Sequence, residues 1–166
     1  MVQVLFVCLG NICRSPTAEG VMKHVVAEAG LAARIEVHSA GTSAYHIGEG
    51  ADARSMRAAA RRGYDLTSHR VRRVEADDLD LFDYVLAMDR DNLRSLEALA
   101  KRRPEGPGRA EVRLFLSYAP AVRFDEVPDP DARGDEGFEM VLDMIESASE
   151  ALLEDIRARF PEVGRS

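Results

Sequence analysis

Apolar residues follow two rhythms along the chain, and the rhythm changes at a few punctuating residues. Val2, Val4, Leu5, Phe6 and Val7 form a near-continuous β-rich run without alternation, the pattern of a parallel strand buried on both faces. Val21, Met22, Val25, Val26 and Ala29 then recur at helical spacing. A helix is therefore expected after Ser15, which can cap it, and Pro16, which suits its first position, ending at Gly30. Ile35-Glu36-Val37-His38 reads as a second strand, opening into a small-residue loop from Ser39 to Gly50.

The alternation continues. Ala51 to Arg62 is an alanine-rich helix stopped by Gly63, Ala76 to Leu81 a short helix, and Phe82 to Met88 a third strand. Asp89 can cap a helix from Arg90 to Ala100. A surface loop from Lys101 to Arg109 leads to a fourth strand, Glu111 to Phe115, and an irregular proline-rich stretch from Ala119 to Asp131. An amphipathic helix from about Phe138 to Arg159 closes the chain. Alternating strands and helices predict an α/β architecture with a parallel sheet and right-handed crossovers.

Composition narrows the class. A chain of 166 residues, 46% of them apolar, suits one domain spanning 1–166. No apolar run approaches the roughly 18 residues of a membrane span, and Met1-Val2-Gln3 lacks a basic signal region, so a soluble, unexported protein is expected. The 2 cysteines are too few for a disulfide framework and have no histidine cluster beside them. A reducing cytoplasm and no bound metal follow as expectations. The net charge of −7 argues against nucleic-acid or membrane partners. It is uneven: seven arginines lie between Ala51 and Arg73, while thirteen acidic residues follow Phe124. Both stretches read as solvated faces, with a docking surface as the alternative, the basic one suited to drawing in a phosphorylated partner.

The candidate chemistry sits where the first strand meets the first helix, in Val7-Cys8-Leu9-Gly10-Asn11-Ile12-Cys13-Arg14-Ser15-Pro16. A glycine-containing turn there gathers backbone N–H groups and the positive end of the helix dipole, which makes an anion site. Its field favours thiolate over thiol at Cys8, and Arg14 offers a planar fork for two oxygens of a phosphate. Spacing alone also permits a structural reading, with Cys8 as a core residue and Arg14 solvated.

This loop, continued by Thr17-Ala18-Glu19, resembles the phosphate-binding loop of the low-molecular-weight protein tyrosine phosphatases. The resemblance extends through Ser39-Ala40-Gly41-Thr42, Ser68-His69, Tyr84 to Asp89 with Asn92-Leu93, Val127-Pro128-Asp129-Pro130 and Gly137-Phe138-Glu139, in family order. It implies one α/β domain with a four-stranded parallel sheet in the order 2-1-3-4 and helices on both faces. It also implies hydrolysis of phosphotyrosine in proteins through a phosphocysteine intermediate, releasing inorganic phosphate, without cofactor or metal. Cys8 would be the nucleophile, Arg14 the phosphate clamp, and Asp129, in its Asp-Pro pair, the general acid and base. Leu9, Gly10, Asn11, Ile12, Cys13 and Ser15 would surround the phosphate, and Tyr45, with His46 beside it, would flank the substrate ring. Ser39, His69 and Asp89 would support the loop, with His69 bracing Asn11 rather than acting as a base. Ser15 would hydrogen-bond the Cys8 sulfur, Asn11 would take a left-handed conformation, and Cys13 would form a reversible disulfide with Cys8 under peroxide.

The chain departs from the family pattern at Asp131-Ala132, where aromatic residues commonly follow the acid motif. One wall of the mouth is thus expected to lack its aromatic surface and to carry extra negative charge. Three rival readings remain at this point. An arsenate reductase needs further cysteines after Cys13, and there are none. A protein arginine phosphatase tends to carry threonine where Ile12 stands. A non-catalytic phosphopeptide-binding module would need neither Cys8 nor Asp129.

Overall fold

The computed structural model describes residues 1–164, and of Asp131 and Ala132 the backbone alone. The expectation for the mouth wall at those two side chains lies outside the described residues. The first strand, β1 (Val2–Cys8), is the second of four in a parallel sheet of order β2-β1-β3-β4, with β2 at Ile35–Gly41, β3 at Tyr84–Ala87 and β4 at Glu111–Leu114. The unalternating apolar run of β1 has the predicted cause. Val4 and Phe6 enter one buried cluster while Leu5 and Val7 enter another on the opposite face.

The helices are α1 (Arg14–Glu28), α2 (Ala53–Arg61), α3 (Asp78–Leu81), α4 (Arg90–Lys101) and α5 (Gly134–Arg159). Helices α1 and α5 cover the first face, through Val21, Met22, Leu142, Ile145 and Leu152. The second face is closed by Leu79 of α3 and Leu96 of α4. The family's strand order and two-sided helix cover are thus both present. Strand order reverses at β1, so the exit of β1 lies at the switch point where open α/β sheets bind ligands.

Several boundaries shift from the sequence reading, β3 to the shorter Tyr84–Ala87 and the starts of α2 and α3 by two residues, and three of the shifts bear on the site. Helix α1 begins at Arg14, with Cys13 as its capping residue and no side-chain cap. Ser15 is therefore not the cap; it lies in the first turn, its hydroxyl drawn to Cys8 and Asn11. Strand β2 runs three residues past His38 to Gly41, held by β1 along its length and bridged to Arg73 at its last residue, Gly41. Helix α5 starts at Gly134, not Phe138, with Asp135 and Glu136 in its first turn, where carboxylates suit the dipole.

Candidate active site

Cys8 ends β1, and the chain turns back over it before entering α1. The turn depends on Asn11, the one non-glycine with positive φ (57°) among the described residues. Asparagine tolerates this left-handed region better than most side chains. It is fully buried and hydrogen-bonded on every side. Its backbone N–H donates to Cys8 Sγ at 3.2 Å, and its Nδ2 donates to Ser15 Oγ at 2.8 Å and Ser39 Oγ at 3.0 Å. Its Oδ1 accepts from the Arg72 N–H at 3.1 Å, and its carbonyl oxygen meets His69 Nε2 at 2.7 Å. Ser39 and His69, both expected to support the loop, each contact Asn11.

The sulfur of Cys8 lies 3.0 Å from Ser15 Oγ. Since Ser15 Oγ already accepts from Asn11, its own proton is available to the sulfur. Two donors thus converge where negative charge would sit on Sγ. Because α1 has no side-chain cap, its first backbone N–H groups stay open to an anion beside Cys8. Cys13 is half-buried and forms no disulfide with Cys8.

Arg14 is held inside, with 7% of its surface exposed. Its Nη1 donates to Asp89 Oδ2 at 2.8 Å and to the Val127 carbonyl at 3.0 Å. Burial pulls its pKa down, but the hydrogen bond to Asp89 and the charges of Cys8, Asp89 and Asp129 outweigh that and hold it above its ordinary value. Asp89 serves two structures at once. One oxygen orients Arg14, while the other accepts from the Asn92 N–H at 2.8 Å and completes a capping box at the start of α4.

Asp129 is exposed and lines, with Arg14 and Asp89, a cavity of about 530 Å³. The segment carrying it is anchored at Val127, whose N–H donates to the Met88 carbonyl at 2.8 Å at the end of β3. Pro130, the next residue, is buried against α5, where a side chain at Gly137 would stand 2.7 Å from the Pro130 carbonyl oxygen.

Tyr45 is 91% exposed. Its loop is tied to the turn after β1, since the Thr42 and Ser43 N–H groups donate to the Cys8 and Leu9 carbonyls. It is His46 whose ring packs near Gly10. Besides Arg72, whose N–H meets Asn11 Oδ1, two contributors escaped the sequence reading. Glu19 accepts from Ser39 Oγ at 2.6 Å and lies 3.9 Å from His69 Nδ1, fixing both braces of Asn11. Gly41 lets β2 approach so closely that a Cβ there would sit 2.8 Å from the Leu9 carbonyl oxygen. Both residues stood in quoted motifs, but nothing local signalled their tasks.

The model of the low molecular weight phosphotyrosine protein phosphatase family matches residues 3–161. A low molecular weight protein-tyrosine-phosphatase of Streptomyces coelicolor is 45% identical over 157 residues, 93% of either chain. The human low molecular weight phosphotyrosine protein phosphatase is 38% identical over 151 residues, 91% of this chain and 93% of the relative. Among solved structures, a protein tyrosine phosphatase from Entamoeba histolytica, with Hepes in its active site, superposes with a TM-score of 0.86 at 36% identity, covering 98% of this chain and 99% of the other. A Drosophila arginine phosphatase also reaches 0.86, at 33% identity over 95% and 98% of the two chains. The match along nearly the whole length makes this chain a member of the low molecular weight phosphotyrosine protein phosphatase family, which works through a cysteine.

Proposed function

We propose that the protein hydrolyses phosphotyrosine in protein substrates, with Cys8 as nucleophile, Arg14 as phosphate clamp and Asp129 as general acid and base. The observation that carries this reading is the convergence on one uncapped helix start of a sulfur with two donors and a buried guanidinium, beside a cavity lined by a carboxylate.

In the first step Cys8 Sγ attacks phosphorus, an S–P bond forms and the bond to the tyrosine oxygen breaks. Asp129 delivers a proton to the departing phenolate. Arg14 and the N–H groups of the loop from Leu9 through Gly10, Asn11, Ile12, Cys13 and Ser15 hold the equatorial oxygens as charge moves among them. In the second step Asp129 takes a proton from water, the water oxygen attacks phosphorus, and inorganic phosphate leaves with Cys8 restored. Ser15 steadies the sulfur when it is the attacking and when it is the leaving group. Tyr45 stands on the loop that borders the mouth, where a substrate ring would pass.

Phosphoarginine is the second reading, favoured by the likeness to the Drosophila arginine phosphatase. The apolar Ile12, where that subgroup tends to carry threonine, favours tyrosine. The test is hydrolysis of p-nitrophenyl phosphate in EDTA from about pH 4 to 8, comparing the wild type with Cys8→Ser, followed by phosphotyrosine and phosphoarginine peptides. Turnover that persists in EDTA, disappears in Cys8→Ser and extends to the phosphotyrosine peptide is expected. Faster release from phosphoarginine would reverse the substrate assignment.

A further inference from the structure

The cavity beside Asp129 is larger than a phosphoryl group requires, and its lining is two-natured. Its apolar part is the ring of Phe124, more than half exposed, with Met140 and Met144 of α5. Around this surface stand five carboxylates against two guanidiniums, Arg14 and Arg133. Arg14 is already committed to Asp89. The outer acids Asp125 and Glu126 meet Arg90, and Asp91 meets Arg94, but these are surface pairs in water. Such pairs contribute little and can be exchanged for an incoming cation.

We propose that this groove receives an arginine or lysine side chain lying within about two residues of the phosphotyrosine in the protein substrate, a reach of roughly 7 Å of extended chain. The inference rests on the phosphotyrosine reading and deepens it. Asp129 must meet the phenolate oxygen, so the peptide carrying that phenolate passes the lip of the groove. Phe124, Met140 and Met144 suit the apolar stem of the basic side chain, and its charged head reaches Asp125 and Glu126. An acidic residue in the same place would meet a lining of five carboxylates against two guanidiniums.

The test uses three phosphotyrosine peptides that differ only beside the phosphotyrosine, with arginine, glutamine or glutamate there. Wild-type kcat/KM is expected to fall in that order, each step about three- to tenfold, with the spread narrowing as salt is raised. Phe124→Ala and Glu126→Gln should each shrink the arginine-over-glutamine ratio severalfold and leave p-nitrophenyl phosphate turnover unchanged. Equal rates for the three peptides, or a ratio that survives both variants, would overturn the assignment of the groove alone. Hydrolysis of p-nitrophenyl phosphate but of none of the peptides would overturn the phosphotyrosine reading and the groove together.

Discussion

The loop that would hold the phosphate and the segment that would move the proton are built on opposite plans. The phosphate loop is over-determined: Asn11 is buried at its centre and tied to Cys8, Ser15, Ser39, His69 and Arg72, with Glu19 securing two of those partners from behind. Asp129 instead is exposed on a segment anchored on either side of it, at Val127 on β3 and at Pro130 on α5. The difference suits the work proposed for each. Charge on a phosphoryl group is stabilised best by donors that need no reorganisation. A carboxyl that serves a phenolate oxygen and then a water must address two positions in turn.

The first way to break this comparison is to remove the proposed proton carrier and leave the cradle whole. Asp129→Asn should lower kcat by about 10²–10⁴-fold on aryl phosphates with poor leaving groups and far less on p-nitrophenyl phosphate, whose leaving group needs little protonation. Inhibition by inorganic phosphate should stay within about twofold of the wild type, because on the proposed reading the loop and not Asp129 holds the phosphate. Equal losses across the leaving-group series would remove Asp129 from the acid role.

A second variant strikes the cradle without touching any group that meets phosphate. Gly41→Ala puts a Cβ 2.8 Å from the Leu9 carbonyl oxygen and 3.1 Å from Asn11 Cβ, and the obstruction is backbone that cannot swing aside. Overpacking of this kind costs about 1–3 kcal/mol. Expressed as displacement of the loop, that is roughly a ten- to hundredfold loss in kcat/KM, with weaker phosphate inhibition and a Tm lowered by several degrees. An unchanged phosphate inhibition constant would mean that the loop tolerates displacement and is not the rigid cradle described.

How much of this was legible in the chain follows the same division. Cys8, Asn11 and Arg14 lie within seven residues, and the strand, turn and helix that position them are local, so the sequence exposed the anion site, while the left-handed conformation of Asn11 came with the family resemblance. Asp129 is one of 29 acidic residues with no local mark beyond the proline after it, and resemblance alone singled it out. Glu19, Gly41 and Arg72 act across distances in the chain that only the folded sheet closes. Ser15 shows a misreading of another kind. Its capping signature before Pro16 was genuine, but the buried sulfur and the Asn11 amide compete for the same hydroxyl, and the helix start stays open.

The finest test of the comparison lies under the acid segment. A Cβ at Gly137 would stand 2.7 Å from the Pro130 carbonyl oxygen and 2.8 Å from Arg133 Cβ, so Gly137→Ala must push the residue next to Asp129 away from α5. Stability is a poor readout here, because alanine gains about 1 kcal/mol of helix propensity over glycine and offsets much of the crowding. The catalytic signature is sharper. A displaced carboxyl should lower kcat about three- to tenfold on poor leaving groups. Turnover of p-nitrophenyl phosphate and inhibition by phosphate should both hold, in contrast to Gly41→Ala, where both fail together. If phosphate inhibition weakens in Gly137→Ala as much as kcat falls, the shift has travelled through Val127 to Arg14, whose Nη1 it accepts. The two regions would then move as one body, and their different hydrogen bonding would not make them mechanically independent.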